Sequence, residues 1–140
     1  MSITEIREVT AILVLFGLPR DLTSTIIAHE AMHAWLRLTP SFPSELTPKL
    51  EEGLCQVISE TYLKFMTDQR FLRGQDTMDD NAFHLLQAEE SLRAYFRYQI
   101  ETDQSVTYGD GYREAKTCVD ALGLDIVLEF VRDNKKLPSL

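Results

Sequence analysis

The chain has 140 residues, 44% hydrophobic and 26% charged, with a formal net charge of −8. This is ordinary for a globular protein and gives enough chain for one domain with its own core. The acidic balance argues against nucleic acid and against an anionic membrane surface as partners, since both select basic patches.

The longest apolar run, residues 9–18, is about half of the ~20 residues that a membrane-spanning helix needs. It is not expected to be a secretion signal. Glu5 and Glu8 precede it, and Pro19, Arg20 and Asp21 follow where a small-residue cleavage site would stand. Cys55 and Cys118 are too few for a disulfide scaffold and read as two free core thiols. The expectation is a cytoplasmic protein.

The first element is EVTAILVLF, residues 8–16, short, β-branched and closed by Gly17 and Pro19. It reads as a buried strand that fills the core. A helix capped by Asp21 or Thr23 then runs to about Leu38 and ends at Thr39-Pro40. Residues 39–47, with Pro40, Pro43, Ser41 and Ser44, form a loop. Thr47 and Pro48 open a second helix that is expected to end near Thr67. The polar stretch 68–80 reads as a loop. A third helix, about 81–102, carries Phe83, Leu86, Leu92, Tyr95 and Ile100 at helical spacing.

The segment SVTYGDGYRE, 105–114, is a glycine-punctuated turn. A fourth helix runs from about 112 to Gly123, a fifth from an Asp125 cap to about Arg132, and the tail is frayed. The fold class expected is α+β, mostly helical: one clear strand before four or five helices, in a single domain over 1–140. A lone strand cannot satisfy its backbone groups. Partner strands are therefore expected in 39–47 or 103–108, or else the chain is one piece of a larger fold.

The first helix contains IIAHEAMHAWLRL, residues 26–38. Ile27, Ala31, Ala34 and Leu38 form a stripe flanked by Ala28 and Trp35, with Ile26 and Leu36 on the other side. Apolar residues all round predict a helix central in the fold. Within it, His29 and His33 are four apart and share a face, so each can give one nitrogen to a single zinc ion. Glu30, one position on, can reach a zinc-bound water as general base. A chance HExxH is expected in roughly a few per thousand chains of this length.

A zinc centre of this kind needs a third protein ligand and one open position. Leu36 and Thr39 stand where a metzincin has its glycine and last histidine, which excludes that class. PKLEEGLCQVISE, residues 48–60, offers two acids instead. Glu52, nineteen positions after His33, gives HExxH-x18-E with glycine next. This spacing resembles the M1-type aminopeptidases locally. Glu51 is the rival, one register away. Gly53 would let the two helices approach closely, and Gln56 could orient one of the imidazoles. An aminopeptidase ranks lower because no amine-anchoring motif such as GxMEN occurs. His84 reads as a surface residue.

The blocks at 8–38, LEEGLCQV (50–57) and IETDQSVTYGDGYR (100–113) occur in order. Together they resemble the C-terminal peptidase domain of the plant LIM-domain growth regulators, which are ubiquitin-activated zinc peptidases of gluzincin type. The resemblance covers most of 6–114. It implies a cytosolic zinc metallopeptidase that cleaves regulatory proteins at limited sites. Ala31 stands where that family usually has the first methionine of HEMMH. The LIM modules and ubiquitin-interacting motifs are absent from this chain, so any ubiquitin contact would run through modules it does not carry. Tyr108, on a glycine-flanked loop that matches the family, is the candidate second donor to the oxyanion; Tyr112 is the spare. A catalytically latent zinc-containing binding module of the same fold is the alternative function.

Overall fold

Pro48 has no N–H to lose at a first helical position, and the Thr47 carbonyl accepts from Glu51 N at 3.0 Å. From this start the longest helix of the computed structural model runs to Arg73. The structure describes residues 8–73 and 79–140, with side chains described for 8–69 and 79–140. Five α-helices follow in order: α1 Arg20–Leu38, α2 Pro48–Arg73, α3 Asp80–Thr102, α4 Gly111–Leu122 and α5 Leu124–Asn134. A π-helical turn, Val106–Asp110, joins α3 to α4.

The expected α+β class is overturned: among the described residues no strand forms, and the fold is all-helical. Residues 8–15 lie outside any regular element, and Leu13, Leu15 and Phe16 are exposed. β-branched composition supplies propensity, but a strand also needs a neighbour to receive its backbone groups. The two places that might have provided one are a turn after α1 and the π-helical turn. No helix among the described residues is long and apolar enough to cross a membrane.

The helix limits follow the capping chemistry. Asp79 caps α3 by accepting from Ala82 N at 2.8 Å. Gly123, at φ 90°, ends α4 and leads into α5. The cap of α5 is therefore Gly123 and not Asp125. α2 passes Thr67 and uses half of the expected loop, because no glycine or proline interrupts it before Gly74. The rest of that loop, 74–78, lies outside the described residues.

α2 is the hub, packed on α1, α3, α4 and the π turn. Leu50, Leu54, Cys55 and Val57 from α2 meet Met32 and Leu36 of α1, Tyr112, Ala115 and Cys118 of α4, and Val127 and Val131 of α5. α1 is not central. Thr25, Met32 and Leu36 are buried, whereas Ile27, Ala31, Trp35 and Leu38 are exposed. The stripe read from the sequence therefore faces outward, and the buried face lies on the other side.

Gly53 makes a close helix approach, but to α4 and not to α1. A Cβ there would strike the backbone carbonyl of Gly111, and a Cβ on Gly111 would strike the carbonyl of Lys49 while lying 3.3 Å from Gly53 Cα. These glycines are required by proximity rather than by dihedral angle.

α3 is tied down by charge. Arg93, only 2% exposed, donates from Nη1 to Asp21 on α1 at 2.7 Å and from Nη2 to Glu90 at 2.7 Å. Its Nε donates to Thr67 on α2 at 3.2 Å. Arg97 Nε donates to buried Glu60 on α2 at 3.2 Å. A buried charge of this kind is stable only when fully paired.

Two variants test this packing by urea denaturation. Gly111→Ala is expected to lower the unfolding free energy by about 3 kcal/mol, because backbone cannot step aside. Arg93→Ala, which leaves the buried Asp21 carboxylate with only the exposed Arg20 as a charged partner, is expected to cost about 3 kcal/mol.

Candidate metal centre

α1 and α2 cross in opposite directions, and their buried polar groups meet in register. Ser59 Oγ donates to the Thr25 carbonyl at 3.3 Å. One turn further along α1, His29 Nε2 lies 3.0 Å from Glu52 Oε2. One more turn on, His33 Nε2 lies 3.3 Å from the same oxygen, and His33 Nδ1 lies 2.7 Å from Glu51 Oε1. The two Nε2 atoms are 3.2 Å apart, and the rings meet edge to face with centroids 5.0 Å apart. This is the neighbour relation that a four-residue helical spacing produces.

Two imidazole nitrogens and one carboxylate oxygen thus form a triangle with sides of 3.0, 3.2 and 3.3 Å. A tetrahedral ion with bonds of about 2.0 Å sets its ligand atoms roughly 3.3 Å apart. The donor set fits zinc in chemistry and in spacing. His33 Nδ1–H donating to Glu51 leaves Nε2 bare and turned into the triangle, the usual arrangement behind a metal-binding histidine. Arg37 Nη2, 3.7 Å from Glu51, adds a cation behind that carboxylate.

His29, His33 and Glu52 meet at the triangle, and Glu51 meets the outer nitrogen of His33. Glu30 is half-buried beside them. With His29 it lines an open cavity of about 420 Å³, whose other walls are Leu22, Thr25 and Ile26 of α1, Gln56 and Ser59 of α2, and Tyr95, Phe96, Gln99 and Ile100 of α3. That volume lies within the usual range for small-ligand pockets. Gln56 faces this cavity, and the imidazole partner is Glu51. Tyr108 stands exposed on the π turn and is not among the side chains lining the cavity. Tyr112 is buried in the core. His84 is exposed beside Phe83.

From the sequence, Cys55 is a core thiol with no further role. It is fully buried, yet its Sγ and ring nitrogens of His29 and His33 all lie within 4.8 Å of one another. Burial, and then the negative charge of Glu52, Glu51 and Glu30, push its thiol well above the ordinary range. The thiol therefore holds its proton at neutral pH. The signal was present in the spacing: Cys55 follows Glu52 by three positions and Glu51 by four, which puts all three on one face of α2. Tyr95 and Gln99, one turn apart on α3, also line the site, and nothing in their spacing beyond a helical face points to it.

Residues 1–134 match the family model described as "DA1-like: Protein DA1". The chain is 41% identical to Protein DA1-related 1 of Arabidopsis thaliana over 89% of its length, which is 24% of that protein. It is 39% identical to Protein DA1 of the same plant over 98% of its length, or 26% of that protein. It is 38% identical to LIM domain-containing protein HDR3 of Oryza sativa subsp. japonica over 94% of its length, or 28% of that protein. The chain therefore spans about a quarter of the length of these curated relatives. No solved structure matches it.

Proposed function

The chain belongs to the DA1-like family, and on that premise we propose that it is a zinc-dependent metallopeptidase. Its substrates would be cytosolic regulatory proteins, the class that the sequence resemblance implies. The observation that supports the chemistry best is the triangle of His29 Nε2, His33 Nε2 and Glu52 Oε2, with sides at ligand spacing. These three residues would hold the ion. When bound, zinc lowers the pKa of a coordinated water toward about 7 and polarises the scissile carbonyl.

The rest of the chemistry belongs to the chain's own groups. The Glu30 carboxylate takes the proton of the attacking water and hands it to the leaving amine. The Glu51 carboxylate keeps the His33 ring in the tautomer that presents Nε2. The cavity beside His29 and Glu30 receives a substrate side chain. Tyr95, Phe96 and Ile100 offer it apolar contact, and Gln56 and Gln99 offer amide hydrogen bonds.

The second reading is a zinc-containing binding module with no turnover. The buried Cys55 thiol beside the two imidazoles favours it, because a centre closed by protein ligands has no position for water.

Metal content and peptide hydrolysis separate the two. Equilibrium dialysis is expected to leave about one zinc per chain, lost in His29→Ala and in Glu52→Ala. Glu51→Ala is expected to keep the site with about 10–100-fold weaker affinity. Glu30→Gln should hold zinc as the parent does while hydrolysis falls by about 10²-fold or more. A parent chain that binds zinc and cleaves nothing would favour the module. A folded parent that binds no zinc would overturn both readings.

A further inference from the structure

Cys55 is the one nucleophilic, metal-binding side chain in the centre to which the peptidase chemistry gives no task. Its sulfur has no solvent access and does not line the cavity that His29 and Glu30 share. It therefore approaches the imidazoles from the protein interior, while the cavity reaches His29 without touching the sulfur. Three donors fix a plane, and an ion bound to them can take its fourth ligand from either side of it.

The distances allow the inner choice. A tetrahedral zinc with a bond of about 2.3 Å to sulfur and about 2.05 Å to nitrogen separates those two atoms by roughly 3.6 Å. Sγ and the ring nitrogens are already within 4.8 Å. At most about 1.2 Å remains to be closed between the sulfur and those two nitrogens, within reach of a small side-chain rotation and a shift of the ion. Serine or alanine would fill this position with less bulk and no affinity for a soft ion, whereas a thiolate selects zinc and cobalt over magnesium or calcium.

We propose that Cys55 is a fourth protein donor to the ion held by His29, His33 and Glu52, closing the coordination shell from the interior. The inference rests on the metal centre of the preceding section. As the metal–sulfur bond forms, the thiol proton leaves to the buffer and the water that would hold the fourth position is released. The centre then has two forms. In the closed form four protein atoms hold the ion and the cavity side has no ligand position. In the open form the thiol is released and water takes its place. Hydrolysis belongs to the open form, so the closed form is a resting state.

Cobalt replacing zinc in the full chain reads this directly. The expected spectrum has the visible bands of a tetrahedral ion and a near-ultraviolet thiolate-to-cobalt charge-transfer band. Cys55→Ser should keep the visible bands and lose the charge-transfer band, and Cys118→Ser should keep both. If the serine variant does not fold, X-ray absorption on the zinc-loaded parent gives the same answer without a substitution. One sulfur at about 2.3 Å among nitrogen and oxygen neighbours is expected. An ion held by the parent and lost in His29→Ala, with no charge-transfer band and no sulfur neighbour, would overturn the role of Cys55 and leave the peptidase reading standing. No cobalt or zinc bound at all would overturn the centre and this inference together.

Discussion

Two imidazoles and the carboxylates of Glu51 and Glu52 share one partly buried crossing of α1 and α2, and the remainder of the fold answers to that constraint. Each such group loses hydration when the helices close and needs a partner at hydrogen-bond distance. The antiparallel register supplies these partners in sequence: Ser59 for the Thr25 carbonyl, Glu52 for His29 and His33, and Glu51 for the outer nitrogen of His33. A slip of α2 by one residue would turn Glu52 away and break all of these contacts together. The polar groups therefore set the register, and the apolar residues on either side of them supply the burial.

α3 is positioned by a different force. Arg93 and Arg97 tie it to α1 and α2, their guanidinium groups reaching Asp21, Thr67 and Glu60. These directional, fully paired contacts hold the helix without filling the space between it and α1 with apolar side chains. That space is the cavity beside His29 and Glu30. A wall held by ion pairs can stand off from its neighbours in a way that a close-packed apolar wall cannot.

The sequence was informative wherever chemistry and spacing coincide. His29, Glu30 and His33 on one helical turn were legible from the motif, and Glu52 was legible from its distance to them. Gly123 and the Thr47-Pro48 pair marked helix ends because each has a backbone reason to stand there. The strand expected at 8–16 does not form because composition is local and a sheet is not: Val9, Ile12 and Val14 favour extended backbone, and no other segment among the described residues offers a ladder. The same limit applies to α1. Apolar residues surround it, and the sequence does not say which side its neighbours occupy. Cys55 and Tyr95 take only packing roles in the sequence, for the opposite reason. Each has an ordinary role as a core or surface side chain, and only the packing of three helices brings it to the site.

The contact between Gly53 and Gly111 has an evolutionary corollary. An added Cβ at either position meets backbone, not a side chain. No substitution elsewhere can then make room for it, because the carbonyl of Gly111 or Lys49 is present whatever residue stands there. Pairs of positions co-vary in related sequences when a change at one is compensated by a change at the other. Here nothing can compensate, so the two glycines should each be constrained without covarying. A map of contacts built from covariation would miss the α2–α4 crossing at its tightest point, and would locate these helices only through the larger side chains around it.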